Sequence, residues 1–412
     1  MLARGLAHGL ARGLVCGLVC GLARGRTAAS LVVAAAALSA CAGTFDQMGG
    51  TPPPTTTEPP PQAAAIGTGQ VRIGLILPLS APGNAGVAAT SMKNAAEMAL
   101  AAFKEPNVQL LVKDDAGTPQ GAQMAAQQAL DEGAEMIIGP LFAQSVSAVG
   151  AVARSRNIPV IAFSTDASVA SRGVYLLSFL PESDIKRIVD YAVARGKRSF
   201  AALLPDNGYG GVIEAALQQE VARRGGRVLA LEKYPSDPGR MGEAARRVAQ
   251  SATQVDSILI ADGADAVPQV VQTLTAAGVN PKRVQLLGTG LWDDPRIFQT
   301  PALEGGLFAA PESAGFRDFA NRYKQRYGQE PVRTATLAYD AVALVAALVK
   351  QQPAGQRFSE QTLTNPSGFA GIDGIFRFKP DGNNERGLAV LRVTPNGGQV
   401  VSPPPKAFNP GT

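Results

Sequence analysis

The sequence predicts an α/β protein of two lobes, each a mostly parallel sheet flanked by helices. Three observations carry that expectation. Short apolar runs alternate with helical stretches from Val71 onward, the signature of β-α-β units. These runs lack strict apolar/polar alternation, as strands buried on both faces do. The pattern starts afresh near residue 182 with no long linker, so the two units pack closely with a cleft between them.

The elements follow in order. VRIGLILPL (71–79) is a strand. After a loop broken by Pro82, Gly83 and Gly86, residues 90–103 are rich in the helix formers Ala, Met and Leu. NVQLLVKDD is the next strand, 119–132 a helix, AEMIIGP a strand, 145–155 a helix and IPVIAFS a strand. VYLLSFL (174–180) reads as one more strand and Asp184–Arg195 as a helix. The second unit runs RSFAALLPD, helix 211–224, RVLALEKYP, helix 239–250, DSILIADG, helix 265–277 and VQLLGTG. Segments 315–327 and 334–350 are helical, and the end folds as a hairpin around Asp381-Gly382-Asn383-Asn384.

Upstream of Val71 the composition changes. Residues 1–40 hold Arg4, Arg12, Arg24 and Arg26 and no acid, and they end in an apolar run too short to span a bilayer. Leu38-Ser39-Ala40-Cys41 resembles the bacterial lipobox, in which the Cys thiol takes a lipid and the chain is cut before it. Residues 1–40 are therefore expected to be a lipoprotein signal peptide, with an unusually long Gly-Leu repeat at its start. Residues 41–70, containing TPPPTTTEPPPQAAA, are expected to be a lipidated Cys41 and an extended tether. The anchor would be membrane-bound on the periplasmic side, and Ala42 favours the outer over the inner membrane.

The rare residues exclude much chemistry. The only histidine is His8 and the only cysteines are Cys16, Cys20 and Cys41. Once residues 1–40 are removed, Ser-His-Asp and Cys-His catalysis, His or Cys metal sites and internal disulfides have no residues to use. No phosphate loop, dinucleotide fingerprint or G-x-S-x-G elbow occurs. No cofactor and no enzyme activity is expected. The net charge of +5 falls to +1 without the first forty residues, which gives no reason to expect nucleic acid as partner.

What remains is small polar residues at strand ends, where ligands bind in open α/β sheets. Gln144 and Ser145 open a helix, where unpaired N–H groups attract an anion, although a plain helix cap explains Ser145 as well. Ser164-Thr165-Asp166 offers two hydroxyls and an acid in one turn. Tyr209, after Pro205-Asp206-Asn207-Gly208, could close over a ligand. Thr289 and the only tryptophan, Trp292, are candidates for a cleft wall. Asp114-Asp115 reads as a solvated strand end.

VRIGLILPLS, LLVKDDAGTPQGAQMAAQQALDEGAEMIIGPLFAQS, IPVIAFSTD, LLPDNGYGG and LAYDAVALVAAL, in this order, resemble the leucine-binding family of type I periplasmic binding proteins. The resemblance implies two lobes that close on a ligand. Lobe one would comprise 71–181 plus about 308–370, and lobe two 182–307 plus about 371–402. It implies that Gln144-Ser145 and Ser164-Thr165-Asp166 hold an amino acid's carboxylate and ammonium, with Tyr209 from lobe two, and that an ABC permease is the partner. One departure stands out: where amino-acid-binding members tend to place an acid for the ammonium, this chain reads GTGLW, with Asp293 and Asp294 slightly late. The lipobox, tether, ILPLS and IIGPLF also resemble penicillin-binding protein activator lipoproteins, which use the same fold to contact peptidoglycan synthases. The receptor reading is preferred and the activator is the alternative.

Overall fold

The structure, a computed structural model, describes residues 65–408. The expected signal peptide, Cys41 and most of the tether lie outside the described residues. The first sheet has the order β1-β3-β2-β4-β5-β6, with β1 Ala65–Ile66, β2 Val71–Leu77, β3 Val108–Asp114, β4 Met136–Ile138, β5 Val160–Ala162 and β6 Val174–Leu176. All neighbours are parallel except β1, which pairs antiparallel with β3. Ala65 and Ile66, expected at the end of the tether, thus belong to a sheet edge. Helices α1 Asn84–Ala101, α2 Pro119–Asp131 and α3 Ala143–Ser155 join the strands. α1 starts six residues before its expected position, directly after Gly83, whose positive φ turns the chain into it.

The chain crosses to the second lobe through Leu177–Leu180 and continues with α4 Pro181–Ala194, β7 Ser199–Pro205, α5 Gly208–Arg223, β8 Arg227–Tyr234, α6 Pro238–Ala249, β9 Ser257–Ile260, α7 Val267–Ala276, β10 Gln285–Gly288, α8 Pro295–Phe298 and β11 Leu307–Ala310. VYLLSFL is therefore half strand and half crossing segment. Local signals fix several helix starts: Thr118, Asn207 and Asp237 each accept a first-turn N–H, worth about 1 kcal/mol apiece.

After β11 the chain returns with α9 Ser313–Tyr327, α10 Ala335–Gln351 and the short α11 Glu360–Leu363, followed by β12 Phe369–Gly371, β13 Gly374–Phe378 and β14 Asn384–Arg386. α10 packs along α1, and its Leu337, Ala341, Val342 and Val345 join Leu75, Met92 and Phe163 in one core. The boundary differs here from the expectation. Residues 371–386, assigned to lobe two from sequence, form a three-stranded sheet on lobe one, because Phe376 and Phe378 bury their rings in that core beside Tyr175. The hairpin at 381–384 joins β13 to β14. Only then does the chain cross again, to β15 Ala389–Thr394 and β16 Gly397–Ser402, an antiparallel pair completing the second sheet, β16-β15-β11-β10-β9-β7-β8. Each large sheet is covered on both faces by apolar residues. No helix among the described residues is long and apolar enough to cross a membrane.

Candidate functional site

On lobe one the strand ends that open towards α-helices carry the polar turns. Gly139, with φ of 98°, lets β4 pass against Ile76; a Cβ there would sit 2.0 Å from the Ile76 carbonyl oxygen. The turn delivers Phe142 as the N-cap of α3, with no side-chain cap. Its first-turn N–H groups are thus left open by the helix itself. Ser145 does not cap this helix. It lies one turn in, fully buried, and its Oγ has no partner among the described residues. Gln144 is exposed. After β5, Ser164 is buried and its Oγ accepts the Asp166 N–H at 3.1 Å. Asp166 in turn accepts from the Ser168 N–H and hydroxyl at 2.9 and 2.6 Å. Thr165 is exposed. Ser164 and Asp166 are therefore brought together, with Asp166 partly occupied by its own turn.

On lobe two the structure brings Tyr209 and Thr289 together, their hydroxyls 2.9 Å apart. Burial raises the Tyr209 phenol well above its ordinary value, so it stays protonated. No hydrogen bond joins this pair to Ser145, Ser164 or Asp166. Trp292 needs correction. It is fully buried in the lobe-two core and donates its Nε1–H to the Ile260 carbonyl at 3.1 Å. The indole is the largest apolar surface in the chain, and burying it outweighs lining a wet cleft. Gly288 makes that possible, since a Cβ there would lie 2.1 Å from the indole.

Sequence reasoning missed several carboxylates on this rim. Asp184, in the first turn of α4, accepts the Gly290 N–H at 2.9 Å, and burial pushes its carboxyl up to about 7. Glu182 is also raised, by burial first and then by Asp166 from lobe one, with Lys379 opposing. Tyr234, at the end of β8, donates to Asp262 at 3.0 Å. Asp293 is raised by burial against the pull of Arg333 and Arg317 on lobe one. Asp294 instead caps α8 and holds Arg296. These influences of Asp166 on Glu182 and of Arg333 on Asp293 show that the two rims approach one another. The strand-end rule could have found Tyr234 and Asp262; Asp184 and Glu182 follow a crossing segment and carry no such signal. Asp114-Asp115 is a strand end, with Asp114 accepting the N–H of Ser80 and Ala116 and Asp115 buried.

A family model described as periplasmic binding protein matches residues 70–399. Among curated proteins, an uncharacterized protein of Rickettsia prowazekii is 23% identical over 138 residues, 34% of this chain and 37% of that protein; the chain thus spans little more than a third of that relative. Among solved structures, a branched-chain amino acid ABC transporter periplasmic ligand-binding protein from Burkholderia xenovorans has a TM-score of 0.66 at 19% identity, covering 83% of this chain and 97% of that one. A solute-binding protein of an ABC transporter from Rhodopseudomonas palustris, in complex with 3,4-dihydroxybenzoic acid, has a TM-score of 0.61 at 19% identity, covering 83% and 99%. At these identities the likeness concerns the fold.

Proposed function

Because the chain belongs to the periplasmic binding protein family, whose members are binding proteins and not enzymes, we propose that it is a lipid-anchored receptor for an amino acid or similar small carboxylate. In this reading the ligand sits between the lobes at the periplasmic face, favours their closure, and the closed form is read by an ABC permease. The observation that carries it is the N-terminus of α3, which no side chain caps, at a strand end of lobe one. A ligand carboxylate supplies the acceptor that its first-turn N–H groups lack. Across the rim, burial disfavours ionisation of the Glu182 and Asp184 carboxyls, and a ligand ammonium beside them would restore it. The Rhodopseudomonas protein is in complex with a carboxylic acid, 3,4-dihydroxybenzoic acid, and the Burkholderia protein is a branched-chain amino acid ABC transporter component.

Calorimetry of the purified chain against amino acids and aromatic carboxylates tests this. Saturable heat is expected for at least one class. A flat response across the whole panel overturns the reading.

One feature favours the activator alternative. Tyr209 and Thr289 satisfy each other, Asp166 is engaged in its own turn, and the GTGLW stretch offers no acid. A protein-binding role would leave such a rim self-satisfied. Under that alternative, envelope pull-downs recover a peptidoglycan synthase and the panel gives no heat.

A further inference from the structure

The chain enters the first sheet against the direction of its parallel strands. β1 is antiparallel to β3, with Ala65 opposite Leu111 and Ile66 opposite Leu110, so it runs from the carboxyl edge of the sheet towards the amino edge. It then hooks beneath β3. The Gly69 N–H donates to the Val108 carbonyl at 3.3 Å, the Gln70 N–H to Asn107 Oδ1 at 2.9 Å and the Val71 N–H to the Asn107 carbonyl at 3.1 Å. The hook is tight because residue 69 is glycine: a Cβ there would fall 2.0 Å from the Asn107 carbonyl carbon. β2 then climbs the other side of β3, parallel to it from Val71 opposite Val108 to Leu77 opposite Asp114.

The register fixes where the preceding residues meet β3. In a strand the N–H and C=O of one residue point to the same side, and successive residues alternate. The Asn107 carbonyl turns towards β2, and so does the Asp115 N–H, which donates to the Leu77 carbonyl at 3.1 Å. The odd-numbered residues of β3 therefore face β2, while Leu110, Val112 and Asp114 face outward. Ile66 meets Leu110. Steps of two residues bring residue 64 opposite Val112 and residue 62 opposite Asp114. The sequence supplies a stop at that point. Gln62, Ala63 and Ala64 follow Pro59-Pro60-Pro61, and proline has no N–H to give a neighbouring strand. The first proline upstream falls one position past the end of β3. Among the described residues β3 has no neighbour on this side other than β1.

We propose that the outer edge of β3 from Val112 to Asp114 is a docking strip for residues 62–64, and that the tether consequently leaves lobe one at its carboxyl edge. Ser164 and Asp166 lie at this same edge, since they follow β5, which runs parallel to β2 through β4. With Cys41 lipidated, the pull of the anchor acts on the edge that the receptor reading gives to the ligand, and not on the back of the lobe. That consequence rests on the receptor and lipid readings; the docking needs neither lipid nor ligand, so its test fails or succeeds apart from theirs.

Amide hydrogen exchange on the full-length chain tests the docking. The Val112 and Asp114 amides are expected to be protected in the native chain. Ala64→Pro removes a donor that faces β3 and is expected to speed exchange at both by at least roughly threefold. Ala63→Pro removes one that faces away, which an edge strand tolerates, and is expected to leave both rates near native. Spin-label distances give a second readout, in a full-length chain with Cys16, Cys20 and Cys41 replaced by serine and one label at Pro59→Cys. The other label is at Ser80→Cys or Lys104→Cys. Ser80, whose N–H donates to Asp114 Oδ1 at 3.2 Å, marks the carboxyl edge; Lys104, between α1 and β3, marks the amino edge. The separation from 59 to 80 is expected to be shorter than that from 59 to 104 by at least about 10 Å, since β3 alone spans roughly 20 Å. Equal separations, Val112 and Asp114 amides as fast in the native chain as in Ala64→Pro, or the same loss of protection in Ala63→Pro overturns the proposal. Should Ala64→Pro fail to fold, the two separations decide.

Discussion

Gly288 and Trp292 form one unit: the missing Cβ of the first is the space occupied by the second. Trp292→Ala is therefore expected to lose about 3–5 kcal/mol of stability, the range for emptying an aromatic from a core, measured by urea unfolding. Gly288→Ala is expected to lose about 1–3 kcal/mol by overpacking. If Trp292 were a cleft wall, both changes would leave the urea midpoint nearly untouched. Asp184 gives a pH prediction at the same scale. Its folded-state value of about 7 lies above its ordinary one of 3.8, so its contribution is full below about pH 4 and is lost as pH rises towards 7. Asp184→Asn keeps an acceptor for the Gly290 N–H and removes the charge. Its stability is expected to exceed that of the native chain above about pH 7 by an amount that shrinks on acidification. A constant difference across the titration would show that Asp184 does not carry this dependence.

Among the elements, helices with a capping signal and strands with an apolar run were legible, and those defined by partners were not. Asp237 accepts the Arg240 N–H at 2.9 Å at the start of α6, and Asp237→Ala is expected to lose about 1 kcal/mol in thermal unfolding. α3 is the instructive contrast. Ser145 sits where a capping serine is expected, but the helix begins two residues earlier at Ala143, so the serine turns inward. β11, only four residues long, was not read as a strand; LFAA is a strand because parallel β10 and antiparallel β15 flank it. The sheet β12–β14 is a similar case. Its hairpin turn was visible as Asp381-Gly382-Asn383-Asn384, while its lobe was not. Lobe membership there is decided by where Phe376 and Phe378 find an apolar core, and local sequence carries no record of that.

For the whole molecule, a ligand held between the lobes would link stability and binding. A ligand bound only by the folded, closed chain adds RT ln(1 + [L]/Kd), about 2.7 kcal/mol at a hundredfold excess over Kd. A rise in melting temperature with concentration is thus expected for any ligand that gives heat in calorimetry, and heat without such a rise would mean that the unfolded chain binds the ligand as well. The α/β class and the alternation of strands and helices were determined by the sequence alone, because apolar runs and capping residues act within a few positions of themselves. So was the exclusion of His- and Cys-based chemistry from the body, since residues 65–408 contain neither. Only the tertiary structure decided that Trp292 is core and that Ser145 is buried without a partner among the described residues. Burial and pairing at such positions depend on which distant segments the lobes bring together, and that is a property of packing rather than of any local stretch of chain.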